Sequence, residues 1–146
     1  MSHNEKPKEK LNSKGILMHF SVGAVIKANG KYLLADRNIE PFGFAGIAGH
    51  VDEGETPEEA LSREVFEESG LKIISCSLLF EEEVDWNWCS VGVKSHYWYV
   101  YQCEVEGEIK NNPVELKSSG WFTPEEIKKL KLEPVWKYWF EKLGIL

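Results

Sequence analysis

Apolar residues gather into strand-like runs divided by turn residues, and one long stretch switches to helical spacing. Phe20 to Ile26 and Lys31 to Ala35 flank Asn29-Gly30, two residues that accept the positive φ a tight hairpin demands. Arg37 to Ala45, with its Pro and Gly, predicts a loop, and Ile47 to Val51 a short strand. Lys72 to about Asp85 and Lys94 to Glu106 are rich in β-branched and aromatic residues, which predicts two long strands, and Trp121-Phe122 predicts a further short one. Helices are expected over about Pro57 to Ser69, Thr123 to about Leu130, and Pro134 to Leu143. Strands, one helix, strands and then helices predict an α+β sandwich around a mixed sheet. No internal repeat or low-complexity linker interrupts the pattern.

The first helix has marked ends. Thr56 stands as N-cap, Pro57 at the first helical position, Glu59 where a capping box closes, and Gly70 as the stop. On this helix Glu64, Glu67 and Glu68 stand at i, i+3 and i+4, so three carboxylates converge on one patch about a turn long. Like charges at that spacing repel by roughly 0.2–0.5 kcal/mol a pair. The acidic stripe falls between Ala60 and the pair Leu61 and Val65, so it adjoins the apolar face. Carboxylates pushed toward a core take up protons or find a cation, and oxygen donors beside a glycine loop suit a hard divalent ion, Mg²⁺ before Mn²⁺.

Composition narrows the classes. With 146 residues and 42% hydrophobic side chains, the chain is long enough for one domain with a real core. A net charge of −7 argues against generic nucleic-acid binding, which leaves a basic footprint. No apolar run approaches the roughly 20 residues needed to span a bilayer, and the first residues are not signal-like, so a cytoplasmic protein without a membrane partner is expected. Met1 to Lys14 is charged and poor in apolar residues, which predicts a flexible tail ahead of a single domain over residues 15–146. Cys76, Cys89 and Cys103 are widely spaced and odd in number, suiting neither a disulfide framework nor a zinc knuckle, and are expected as reduced thiols.

Gly49, Glu55, Arg63, Glu64, Glu67, Glu68 and Gly70, with Val65 and Leu71 in aliphatic slots, match the signature Gly-x5-Glu-x7-Arg-Glu-U-x-Glu-Glu-x-Gly-U of the Nudix hydrolases, which the chain therefore resembles. Coincidence of seven fixed positions in a chain this short has a chance on the order of one in a million. The resemblance implies an α/β/α sandwich and hydrolysis of a nucleoside diphosphate linked to another group, with Mg²⁺ or Mn²⁺ as cofactor. It implies Glu67 and Glu68 as main metal ligands, Glu64 as the third, and the backbone carbonyl of Ala48 completing the set. Arg63 would hold the carboxylates and Glu55 would support them from the loop. Some members take a general base from a later strand or loop, for which Glu81, Glu82, Glu83, Asp85, Glu104 and Glu106 are candidates.

A nucleotide needs stacking surfaces and a few polar contacts. Phe44, Trp86 and Trp88, in or near loops, are candidates to touch the substrate, as are Arg37 at a strand end and His50 inside the box. Family members that prefer ADP-ribose tend to carry a proline about fifteen residues past the box and those that prefer dinucleoside polyphosphates a tyrosine. This chain has Trp86-Asn87-Trp88-Cys89 there, and its short architecture resembles the nucleoside-triphosphate pyrophosphatases. The alternative is a non-hydrolytic module that binds nucleotide or protein. Trp136, Tyr138, Trp139 and Phe140 cannot share one side of a helix, so some face either the sheet or a homodimer interface.

Overall fold

The computed structural model describes residues 6–89, 91–110 and 116–146. Strand β2 (Leu17–Ala28) is its axis: β7 (Ser95–Glu106) runs parallel along one side of it, while β1 (Glu9–Leu11) and then β5 (Ile47–His50) pair antiparallel along the other. Beyond β7 lies β6 (Lys72–Val84), an antiparallel edge strand. The far end of β2 turns at Asn29 and Gly30, both at positive φ, into β3 (Lys31–Arg37), which pairs with the two-residue β4 (Phe44–Ala45) and with β8 (Leu116–Phe122). The sheet is mixed, and the α+β sandwich expected from the sequence is the fold.

Alternation along β2 divides the core. Phe20, Val22, Ala24 and Ile26 point to one face, where Ala60, Leu61 and Val65 of α1 (Pro57–Ser69) cover them. Val25, with Trp98 and Val100 of β7, points to the other, under α3 (Pro134–Lys142). Trp136, Trp139 and Phe140 of α3 are fully buried there, and Tyr138 packs on Trp86 and donates to Glu82, so these aromatics pack back onto their own sheet.

Four boundaries differ from the sequence reading, each for a long-range reason. Glu9–Leu11, within the stretch expected as tail, forms β1 because β2 at Leu17–His19 lies beyond the reach of β5. Strand β8 begins at Leu116, its Ser-Ser-Gly segment held by pairing with β3 in spite of low strand propensity. Phe44–Ala45, expected in a loop, pairs with β3 as β4. Helix α2 (Pro124–Ile127) loosens into turns before Leu130, and the chain beyond them runs along Phe44, whose N–H donates to Lys131 O and whose carbonyl accepts from Glu133 N, both at 2.9 Å. No helix among the described residues is long and apolar enough to cross a membrane.

Candidate active site

Helix α1 begins as its sequence predicts. Glu59 N donates to the Thr56 hydroxyl at 3.1 Å and Thr56 N to the Glu59 carboxylate at 2.9 Å, and Gly70 ends the helix in the left-handed conformation at φ 76°. The loop before it folds back on itself: Asp52 N donates to Glu55 Oε1 at 2.9 Å, and Glu55 N to Asp52 O at 3.0 Å. Loop and helix therefore form one unit, which fixes where their carboxylates can stand.

Arg63 is its centre. Nε donates to Glu55 Oε2 at 2.8 Å, Nη1 to Glu64 Oε1 at 2.7 Å, and Nη2 to both Glu55 Oε1 at 3.0 Å and the His50 carbonyl at 2.9 Å. Asp52 and Glu67 lie 3.2 and 3.5 Å from the guanidinium. Burial alone would lower the Arg63 pKa, but Glu55 and Glu64 outweigh it and hold the group well above its ordinary range. Asp52 was missed by the sequence reading; the one hint was its place three residues before Glu55.

The acid stripe lies where helical spacing put it. Glu68 is buried at 4% exposure on the α1 side of the sheet, while Glu64 and Glu67 are more open. Gly49 faces them from β5, and a Cβ there would collide with the Glu64 carboxyl group, so the glycine is what lets that side chain lie against the strand. Ala48, one residue earlier, pairs with Gly23 of β2. Four carboxylates, those of Asp52, Glu55, Glu64 and Glu67, surround one guanidinium with Glu68 a turn away, an excess of negative charge that a hard divalent cation would relieve. The oxygen-only donor set, with Glu64 held in the space that Gly49 leaves, fits such an ion.

The candidates for substrate contact lie apart from this stripe. Because β5 alternates, Gly49 looks to α1 and the His50 ring to the opposite face. Burial first, then the repulsion that a proton on His50 would meet from the neighbouring His19 and His96 rings and from Arg63 and Arg37, lowers the His50 pKa to about 3, so its ring is neutral. Arg37 donates from Nε to the carbonyls of Ile39 and Pro41 and lies 3.4 Å from Glu133. Phe44 packs edge-on to Phe122. Trp86 and Trp88 are open, at 45% and 52% exposure, with Lys94 over the Trp88 ring. Of the possible general bases, Glu81 accepts from Tyr97, Glu82 from Tyr138 and Lys142, Glu83 from Ser13 and Asp85 from Lys14, while Glu104 and Glu106 stand on β7. Around His50 the fold gathers His19, Cys89 and His96, which no spacing in the chain connects.

Comparison with known proteins accords with this geometry. A family model described as the NUDIX domain matches residues 17–143. The chain is 26% identical over 136 residues to an uncharacterized Nudix hydrolase of Rhodococcus erythropolis, covering 85% of this chain and 73% of that protein. It is 27% identical over 132 residues to a protein of Enterobacter sp. named nucleoside triphosphatase NudI, covering 84% and 94%. A crystal structure of a MutT NUDIX hydrolase from Burkholderia pseudomallei shares the fold at TM-score 0.74 and 24% identity, over 85% of this chain and 96% of that one.

Proposed function

The chain belongs to the Nudix hydrolase family, and from that premise we propose that it cleaves, with a divalent cation, the diphosphate of a nucleoside diphosphate linked to another group, nucleoside triphosphates or modified nucleotides being the favoured substrates. The observation that carries this reading is the Arg63 centre, one guanidinium among Asp52, Glu55, Glu64 and Glu67. A diphosphate is itself a dense anion and enters such a site only when cations reverse the local charge. The lean toward triphosphates rests on the relative named as a nucleoside triphosphatase.

The chain's own groups divide the work. Glu64, Glu67 and Glu68, with the Ala48 carbonyl, would hold Mg²⁺ or Mn²⁺. When bound, the ion neutralises phosphoryl oxygens and acidifies an attacking water. Glu67 is the most open of the three carboxylates, at 25% side-chain exposure, and is best placed to orient the water and take its proton. Arg63 fixes Glu64 directly, and Glu55 locks Arg63 through two hydrogen bonds. Arg37, Phe44, Trp86 and Trp88 remain the groups proposed to meet the nucleotide, the two open tryptophans by stacking on a base, whereas the His50 ring is turned away from α1 and leaves that set.

The test is mass-spectrometric product analysis of a panel of nucleotides with Mg²⁺, using Glu67→Gln as control. Mononucleotide product that vanishes in the variant is expected. Tight nucleotide binding with no turnover of any compound would replace this reading with that of a non-hydrolytic module.

A further inference from the structure

The face of β5 turned away from α1 opens onto a second cluster, assembled by strand register. Parallel pairing of β2 with β7 sets His19 beside His96, and antiparallel pairing of β2 with β5 sets His50 opposite Ser21, two residues along the same face. The three rings crowd together, with centroids 4.8 Å apart for His19 and His50, 5.9 Å for His19 and His96, and 5.7 Å for His50 and His96. Cys89 approaches from the β6–β7 connection, its backbone held by Cys89 N donating to Val93 O at 3.1 Å and Gly92 N to Cys89 O at 2.9 Å. One donor atom from each of the four residues lies within 4.8 Å of all the others.

A buried histidine is usually explained by its hydrogen bonds. That account fails here, because His19 Nδ1 and both ring nitrogens of His96 are buried without a hydrogen-bond partner, in residues only 3% and 1% exposed. The fold thus gathers buried imidazole nitrogens that lack hydrogen-bond partners beside one another and beside a thiol, the groups with which histidine and cysteine ligate metal. His19 adds a second sign. Its Nε2 lies 3.1 Å from Glu9 Oε2, and in the tautomer that donates this N–H to the carboxylate the buried, unpartnered Nδ1 carries the lone pair, the outer arrangement that metal-bound histidines commonly show.

We infer that His19, His50, Cys89 and His96 form a structural zinc site, separate from the oxygen-donor site on α1. Three imidazoles and a thiolate suit Zn²⁺, whereas Mg²⁺ and Mn²⁺ want oxygen. Four protein donors close a tetrahedron and leave no open position. Zinc bonds of about 2.0–2.3 Å place tetrahedral donors roughly 3.3–3.8 Å apart, so the four side chains draw in by about 1 Å as the Cys89 thiol gives up its proton. The ion then ties the connection bearing Trp86 and Trp88 to β2, β5 and β7.

Untagged full-length protein from zinc-supplemented medium, desalted and analysed by elemental mass spectrometry, is expected to retain about one zinc per chain. After chelator treatment, cobalt(II) is expected to give tetrahedral d–d bands together with a thiolate-to-cobalt charge-transfer band. Cys89→Ser, with its fold checked by circular dichroism, is expected to lose the charge-transfer band, and Glu9→Gln to weaken binding by about 10–100-fold. Glu67→Gln is expected to keep full zinc occupancy. Zinc-free protein with an octahedral cobalt spectrum, a charge-transfer band that survives Cys89→Ser, or zinc lost in Glu67→Gln would each overturn the inference. The wild-type spectrum requires no variant, so a misfolded mutant leaves the question answerable.

Discussion

Gly49 and His50 are consecutive in the chain and look onto clusters of opposite character. On the α1 face the donors are oxygens, they come from one loop and one helix, and they carry more negative charge than Arg63 can balance. On the α3 face the donors are nitrogen and sulfur, they come from β2, β5, β7 and a connection, and His50 and His96 are held neutral. A charged cluster open at Glu67 suits an ion that must meet a changing substrate. One of nitrogen and sulfur donors, two of them fully buried, suits an ion that stays. The strand keeps them apart because its side chains alternate.

The sharpest way to break this comparison is Glu67→Gln. If the α1 face alone does chemistry, turnover falls by about 10²–10⁴-fold, the range for a group that handles a proton in the transition state, while circular dichroism stays unchanged. Turnover left near the wild-type level would move the chemistry elsewhere.

Removing the centre of the charged face should act on stability as well. Arg63→Ala takes the guanidinium away from Glu55 and Glu64 in a mostly buried setting, and breaking such a pair costs about 3–5 kcal/mol. Arg63→Lys keeps the charge but cannot bond Glu55, Glu64 and the His50 carbonyl at once, so it should fall between the two. Urea denaturation in Mg²⁺-free buffer measures both. An Arg63→Ala protein as stable as the parent would mean that the carboxylates are not held by this contact.

The two clusters also differ in how far the sequence announces them. Thr56, Glu59 and Gly70 mark the ends of α1 with local hydrogen bonds, and helical spacing then brings Glu64, Glu67 and Glu68 together with no help from the rest of the fold. That part of the site is legible. His19, His50, Cys89 and His96 share no period and meet only because β2 pairs parallel with β7 and antiparallel with β5, a register no local rule supplies. The same limit explains why β1 and most of β8, strands made by their partners, escape a reading based on composition.

A carboxyl on the α3 side sharpens the contrast through pH. Burial raises the Glu133 pKa from 4.5 to about 7, against the pull of Arg37 at 3.4 Å, the charged group that faces it. Where the α1 carboxylates call for a cation, this one holds its proton up to about pH 7. The folded protein holds that proton more tightly than the unfolded chain does, so its stabilising effect is complete below about pH 4.5 and is lost as the pH rises toward about 7, a decline of about 3 kcal/mol. Unfolding free energies at about pH 5 and about pH 8 should show that decline in the parent and not in Glu133→Gln. Equal slopes in the two proteins would mean that Glu133 titrates normally.

The smallest change tests the boundary itself. Gly49→Ala adds one methyl group, and that methyl must displace the Glu64 carboxyl group, which is held on its other side by Arg63. Crowding of this kind costs about 1–3 kcal/mol, and the displaced carboxylate can no longer stand with Glu67 and Glu68, so Mg²⁺-dependent turnover should fall with stability. The methyl points to α1, away from the histidines, so the thiolate-to-cobalt band should survive unchanged. Loss of both signals would show that β5 transmits strain between its faces and that the two clusters work as one site. Loss of turnover alone would show that one strand carries two independent sites, divided by the alternation of its side chains.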